Sequence, residues 1–129
     1  MKYSYKTSVK GYELDSFGHL NNAVYINYTE QARWEILNKK GLLDLFINHG
    51  FLLVVTETNI RYKKELKLFD EVDVETEVRF EAPYLVFDHQ IKNLRSGNNA
   101  AKAIVKTLLV SKDRIPQDIP DQLLAITKS

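Results

Sequence analysis

The 129-residue sequence contains no cysteine, which excludes disulfide bonds, cysteine nucleophiles and thiolate metal sites. It also lacks any apolar run approaching the ~20 residues that a membrane-spanning helix requires. The first ten residues alternate polar and apolar side chains, unlike the apolar segment of a signal peptide. The formal net charge is only +1, and so small a basic excess does not indicate nucleic-acid binding. These absences predict a soluble, cytoplasmic protein that binds neither nucleic acid nor a membrane.

The residues that are present suit a single globular domain over residues 1–129. Hydrophobic residues make up 44% and charged residues 27% of the chain, an ordinary balance for a folded protein. A domain of this size often gains stability by self-association. The histidines His19, His49 and His89 are widely separated and match no metal-ligand spacing, so we expect no bound metal ion.

The first half of the chain predicts one strand and one long helix. Residues 3–9 alternate at period two, as in a half-buried strand. Residues 13–22 predict a structured loop, and residues 23–40 predict a helix capped by Asn21 or Asn22. Four apolar residues at helical spacing should face the core, namely Tyr25, Tyr28, Ala32 and Ile36. Residues 42–50 predict a short helix and a turn.

The second half predicts four strands in succession, over residues 52–62, 71–80, 84–94 and 100–111. A last helical turn is expected near residues 121–126. In the first of these strands we expect one shared face for Leu52, Val54, Thr56, Thr58, Ile60 and Tyr62. Short turns between successive strands favour an antiparallel sheet, and the long helix must cover one of its faces. The predicted class is α+β, with the sheet wrapped around the helix.

The loop before the long helix carries the clearest chemical signal. Asp15 precedes the predicted helix start at Asn22 by seven residues. The free N–H groups at a helix start, with the positive end of the helix dipole, can stabilise an oxyanion. A carboxylate beside such a site is sufficient to hydrolyse an activated acyl group. Composition alone favours the simpler interpretation that Asp15 is an ordinary loop or capping residue.

The loop and helix resemble the 4-hydroxybenzoyl-CoA thioesterase family of hotdog proteins. The residues that match its motif are Asp15, Gly18, His19, Leu20, Asn21, Asn22, Tyr25, Tyr28, Glu30, Ala32 and Arg33. Segments 12–15 and 21–25 look especially similar to two kinds of thioesterase of plants and related bacteria. These are the acyl-ACP thioesterases, where ACP is acyl carrier protein, and the 1,4-dihydroxy-2-naphthoyl-CoA thioesterases. The resemblance implies a hotdog fold, assembly into homodimers or homotetramers, and hydrolysis of acyl-CoA or acyl-ACP thioesters without a cofactor.

The resemblance also implies roles for individual residues. Asp15 would be the catalytic carboxylate, as nucleophile or general base, and the backbone N–H of Asn22 would bind the oxyanion. Gly18 and His19 are candidates for contacting the substrate. Tyr25 is a further substrate-binding candidate, with a place in the core as the alternative.

A basic group formed by Arg61, Lys63 and Lys64 is a candidate for binding the phosphates of coenzyme A. The alternative is a solvated strand end.

Several alternatives remain open at the level of sequence. Where many family members have Asp-x-Asp, this chain has Glu13-Leu-Asp15, which keeps both charges but changes the reach of the first. A second class of hotdog thioesterases places its carboxylate on the long helix, where Glu30 lies; we expect Glu30 to pair with Arg33 instead. A hotdog hydratase or dehydratase is a second candidate, although the spacing of Asp15 and His19 argues against it. A non-catalytic acyl-thioester-binding domain is a third.

Overall fold

The computed structural model describes residues 2–128. Its elements are β1 (Tyr3–Ser8), a 3-10 turn (Gly11–Glu13), α1 (Asn22–Lys39), α2 (Leu43–Ile47), β2 (Leu52–Tyr62), β3 (Glu71–Glu81), β4 (Tyr84–Asn93), β5 (Asn99–Val110), α3 (Asp121–Leu124) and a 3-10 turn (Ala125–Thr127). The predicted order of strand, loop, long helix and four strands is confirmed.

The five strands of the described residues form one antiparallel sheet in the order β1-β3-β4-β5-β2. Helix α1 packs on one face of this sheet and buries the predicted side chains, namely Tyr25, Tyr28, Ala32 and Ile36. The arrangement is the α+β hotdog fold. No helix within residues 2–128 combines the length and apolarity needed to cross a membrane.

Helix α1 begins where the local sequence provides a cap. The Asn21 side chain accepts a hydrogen bond from the N–H of Ala23 at 3.0 Å, which satisfies one of the free donors of the first turn. Asn22 is therefore the first helical residue. At the other end Gly41 adopts a positive φ of 69°, a conformation that glycine accepts without strain.

Two buried clusters fill the space between α1 and the sheet. One surrounds Phe87 and the second half of α1. The other lies below the start of α1 and includes Leu20 and Leu66, which are 2% and 0% exposed. These two leucines anchor the loop before α1 and the segment after β2, so the second cluster fixes the position of both chain segments at one end of the sheet.

The prediction of a single shared face along β2 is wrong. A β-bulge shifts the register between Val55 and Glu57, so that Thr56 has no partner on β5. Because the extra residue reverses the alternation, Leu53 and Val55 lie on the same face as Ile60. The sequence conceals the shift, since residues 52–55 are apolar at every position and fit either alternation.

Candidate active site

Asp15 lies in a tight loop closed by an antiparallel bridge between Leu14 and Leu20. Its Oδ1 accepts hydrogen bonds from the backbone N–H groups of Phe17 at 2.9 Å and His19 at 3.1 Å. Gly18, with a φ of 79°, allows the chain to reverse between them. Within residues 2–128 no hydrogen bond engages Oδ2. The loop therefore holds one carboxylate oxygen and leaves the other available.

Backbone hydrogen bonds attach this loop to the chain segment that follows β2. The N–H of Leu20 donates to the carbonyl of Leu66 at 2.8 Å, and His19 forms an antiparallel bridge with Lys67. The N–H of Asn21 donates to the carbonyl of Glu13 at 2.9 Å. Together these bonds fix Asp15 relative to both the start of α1 and the end of β2.

An open cleft of about 260 Å³ lies where the loop, α1 and the end of β2 meet. Six of the residues predicted from sequence line it, namely Asp15, His19, Asn22, Tyr25, Lys63 and Lys64. Leu20, Tyr62 and Glu65 complete the lining. Gly18 shapes the loop without lining the cleft. The structure thus brings the predicted carboxylate and the predicted oxyanion donor into one cavity.

The backbone N–H of Asn22 is at the first position of an 18-residue helix. In the described part of the chain no acceptor engages this N–H, as expected for the first turn of a helix. The carbonyl of Asn22 accepts a hydrogen bond from the Tyr62 hydroxyl at 3.1 Å, which ties the helix start to the end of β2. A positioned, unengaged donor at the positive end of a helix dipole is suited to an oxyanion.

Tyr25 is both a core residue and part of the cleft. It is only 3% exposed, and its ring packs edge-to-face on Tyr62 with centroids 5.1 Å apart. Burial raises the pKa of Tyr25 above its ordinary value, and the nearby charges of Glu65 and Asp15 act in the same direction. The Tyr25 phenol therefore stays protonated and forms a rigid aromatic wall of the cleft.

His19 faces a carboxylate other than Asp15. Its Nε2 lies 3.1 Å from the Glu65 carboxylate, at the rim of the cleft. Sequence reasoning missed both Glu65 and Tyr62 as site residues. Neither belongs to the local motif, and both reach the cleft only because β2 ends beside the start of α1.

Glu13 has a structural role. Its Oε1 accepts from the N–H of Lys10 and from the Tyr28 hydroxyl, both at 2.8 Å. Burial and the Glu13 carboxylate raise the pKa of Tyr28 well above its ordinary value. The bond between Tyr28 and Glu13 fastens the loop to the middle of α1. The side chain of glutamate, which is longer than the aspartate that many family members have here, therefore serves to hold the loop on α1.

The predicted ion pair between Glu30 and Arg33 is wrong. Among the described residues Arg33 contacts His89 instead, with Nη1 3.3 Å from Nε2, because its side chain turns inward to the sheet. His89 Nδ1 lies 2.7 Å from Thr76 Oγ1. Arginine can only donate, so Nε2 must accept and Nδ1 carries the proton. Burial lowers the pKa of Arg33, and burial together with the Arg33 charge lowers the pKa of His89 to about 3.

A second, apolar pocket of about 160 Å³ lies between α1, α2 and β2, outside the Asp15 cleft. Glu30 and Arg33 stand at its edge, and its other lining residues are Trp34, Leu37, Phe46, Phe51, Leu52, Leu53 and Val55. Glu30 therefore lines a pocket separate from the Asp15 cleft.

Arg61 also lies apart from the Asp15 cleft. It is opposite Lys102 on β5, whereas its neighbour Tyr62 is opposite Ala101 and turns to the helix side. Because successive side chains of a strand point to opposite faces, Arg61 lies on the outer face of the sheet. The predicted basic group is therefore divided between two faces, with Lys64 at the cleft and Arg61 outside it.

Two named thioesterases match part of this chain in sequence. Over 71 residues the chain is 32% identical to the long-chain acyl-CoA thioesterase FadM of Escherichia coli K12, covering 55% of this chain and 54% of that protein. Over 88 residues it is 35% identical to the chloroplastic acyl-acyl carrier protein thioesterase ATL3 of Arabidopsis thaliana, covering 67% of this chain and 46% of that protein. The chain thus matches about half the length of these two relatives.

The whole fold also matches a solved structure. A 1,4-dihydroxy-2-naphthoyl-CoA thioesterase from Synechocystis superposes with a TM-score of 0.89 at 15% identity, covering 98% of this chain and 96% of that one. At this identity the likeness concerns the fold. Residues 9–126 match the sequence family described as the thioesterase-like superfamily. On this match over nearly its whole length, the chain belongs to the thioesterase-like superfamily.

Proposed function

We propose that this protein hydrolyses acyl thioesters of coenzyme A or acyl carrier protein, releasing a free carboxylic acid and a thiol. One observation carries the proposal: the available Oδ2 of Asp15 and the unengaged N–H of Asn22 lie in the same cleft. The names of FadM and ATL3 support this reaction class. The motif from Asp15 to Arg33 favours a place beside the 4-hydroxybenzoyl-CoA thioesterases within the superfamily.

The proposed reaction uses two groups of the chain. The substrate carbonyl oxygen accepts a hydrogen bond from the N–H of Asn22, where the helix dipole stabilises the negative charge that develops. Asp15 then acts in one of two ways. As a general base it takes a proton from water, whose oxygen attacks the carbonyl carbon. As a nucleophile it forms a mixed anhydride that water hydrolyses. In both routes the C–S bond breaks and the leaving thiolate takes a proton.

We further propose that the working form is at least a homodimer joined along β2. This strand is an edge of the sheet, and unpaired backbone groups on an edge are available to a second strand. The Asp15 cleft lies at the Tyr62 end of β2, whereas the apolar pocket lies at the Leu52 end. Antiparallel pairing of two copies would bring the cleft of one beside the apolar pocket of the other. That pocket would then receive the acyl group.

The test is a panel of acyl-CoA and acyl-ACP substrates with thiol release as the readout. We expect turnover in the wild type and loss of turnover in Asp15→Asn. Thioester binding without thiol release would instead indicate a binding domain. The contact between His19 and Glu65 is the one observation that favours a second candidate, a hydratase. Hydration of an enoyl thioester that fails in His19→Ala, with no thiol released, would support that candidate and refute hydrolysis.

A further inference from the structure

The proposed hydrolysis leaves the source of one proton unassigned. When the C–S bond breaks, its electron pair moves to sulfur. The resulting alkyl thiolate takes up a proton at neutral pH, because an alkyl thiol such as that of cysteine has a pKa of about 8.5. In the nucleophilic route Asp15 is bonded to the acyl carbon at that moment and holds no proton. An acid placed in the Asp15 cleft would lower the barrier to this step.

The His19 imidazole lines this cleft, and its backbone is fixed relative to Asp15. The N–H of His19 donates to Oδ1 of Asp15 at 3.1 Å, and the N–H of Asp15 donates to the carbonyl of His19 at 2.8 Å. The bridge to Lys67 holds His19 from the other side. The backbone of His19 therefore cannot shift without moving Asp15.

The Glu65 carboxylate fixes one nitrogen of the His19 ring. It lies 3.1 Å from Nε2, and among the described residues this is the only ion pair of Glu65. No hydrogen bond within residues 2–128 engages Nδ1. The neighbouring Leu66 is 0% exposed and its carbonyl accepts from the N–H of Leu20, which anchors the segment carrying Glu65 beside the loop. One ring nitrogen is thus held and the other is available, as a positioned proton donor requires.

A histidine–carboxylate pair of the same chemistry lies on the surface near α2. His49 Nε2 is 2.9 Å from Asp44 Oδ2, and the two side chains are 60% and 62% exposed. The side chain of His19 is only 31% exposed. His49 is not among the residues that line the Asp15 cleft. The pair of His19 and Glu65 therefore differs from an ordinary surface pair in burial and in position.

The other groups of the cleft that carry a proton are poorer donors to a thiolate. Tyr62 gives its hydroxyl proton to a backbone carbonyl, and burial raises the pKa of Tyr25. Lys63 and Lys64 are exposed, and an ammonium is ordinarily a weaker acid than an imidazolium. Imidazole is the side chain that loses and regains a proton close to neutral pH. His19 is therefore the group in the cleft best suited to protonate the thiolate.

We propose that His19 is a catalytic acid that protonates the leaving thiolate, with Glu65 as its positioning residue. The inference rests on the proposed hydrolysis and supplies the proton that this reaction requires. In the protonated ring both nitrogens are donors, so Nε2–H stays on Glu65 and Nδ1–H faces the substrate sulfur. As the C–S bond breaks, its electron pair moves to sulfur and takes the Nδ1 proton, while the acyl carbonyl reforms. The neutral imidazole regains the proton released when water adds to the acyl group, so one water yields one thiol and one acid.

The experiment compares two thioesters of one acyl group that differ only in the leaving thiol. One thiol is N-acetylcysteamine, an alkyl thiol, and the other is thiophenol, whose thiolate is stable without a proton near neutral pH. The readout is the single-turnover rate of thiol release, which reports C–S cleavage directly. His19→Gln should lower this rate about a hundredfold for the alkyl thioester, the lower end of the contribution of a general acid. The rate for the phenyl thioester should be nearly unchanged, which also shows that the loop is intact.

Two further variants complete the comparison. Glu65→Gln should show a smaller loss that is again confined to the alkyl thioester, because the amide oxygen still accepts from Nε2 but has no negative charge. His49→Gln is the matched control, since it removes the imidazole of the α2 pair. Both of its rates should equal those of the wild type.

Two results would overturn the inference while hydrolysis stands. Equal losses for the two thioesters in His19→Gln would indicate a structural effect on the loop, and wild-type rates for both would remove the imidazole from this step. Failure of the proposed hydrolysis is recognised separately, in the wild type. Release of no thiol from either thioester would refute the hydrolysis and the proton donor with it.

Discussion

His89 should make the stability of this protein depend on pH in the weakly acidic range. The imidazole is 0% exposed and contacts Arg33 and Thr76. It stacks on the Phe87 ring, and the two ring centroids are 6.1 Å apart. Burial and the Arg33 charge lower its pKa from 6.5 to about 3. Below pH 6.5 His89 therefore becomes protonated in the unfolded chain but stays neutral in the folded chain. Stability is fully present above the unfolded pKa and is lost as the pH falls toward the folded pKa.

The size of the effect follows from these two pKa values. Between pH 7 and pH 5 the unfolded state gains most of one proton and the folded state gains almost none. The free energy of unfolding should fall by about 2 kcal/mol from this group alone. For a chain of this length that loss corresponds to a Tm lower by ~7 °C. The expected fall in the free energy of unfolding at pH 5 requires only that the pKa of His89 in the folded state lie well below 5.

The assay is urea unfolding at pH 7 and pH 5, at one protein concentration, for the wild type and His89→Gln. Glutamine keeps an acceptor for Arg33 and does not titrate. Between pH 7 and pH 5 the free energy of unfolding should therefore fall by about 2 kcal/mol less in the variant than in the wild type. His49→Gln is the control, because the His49 side chain is 60% exposed. Equal pH dependence in the wild type and His89→Gln would refute the reasoning.

Three further outcomes are expected. Asp15→Asn should lower the rate of thiol release by orders of magnitude. The conformation of the loop should be kept, because the amide oxygen can still accept from the N–H groups of Phe17 and His19. Thiol release near the wild-type rate would remove Asp15 from the mechanism and make Glu30 the next candidate. Asn22→Ala should keep substantial activity, whereas Asn22→Pro should abolish thiol release while circular dichroism shows a folded protein. Proline has no N–H to donate but is accepted at the first helical position. An active Asn22→Pro enzyme would contradict the backbone oxyanion site. Sedimentation at micromolar concentration should show at least a dimer, and a species of only 15.0 kDa would refute the assembly.

Much of the architecture was predictable because it depends on local patterns. The strands over β3, β4 and β5, the core face of α1 and the cap at Asn21 follow from alternation, helical spacing and a short polar side chain at the helix start. The loop around Asp15 was found for the same reason, since its motif is continuous in sequence.

The parts that were missed depend on contacts between distant segments. The β-bulge at Thr56 was hidden by apolar residues that fit either alternation. The inward turn of Arg33 depends on His89, which lies 56 positions later in the chain. Tyr62 joins the site through the carbonyl of Asn22, which is 40 positions earlier. Each of these requires the folded sheet, which no short window of sequence describes.

The two edges of the sheet are unequal, and under the proposed pairing along β2 this inequality would limit how many copies can join. The β2 edge has eleven residues, but its bulge interrupts the regular ladder. The opposite edge, β1, has six residues, with Lys6 within it and Lys2 and Lys10 flanking it. Short, lysine-bearing edges resist the addition of another strand. Two copies joined along β2 would expose only their β1 edges, so the extended sheet should end at ten strands and should not grow into a fibre.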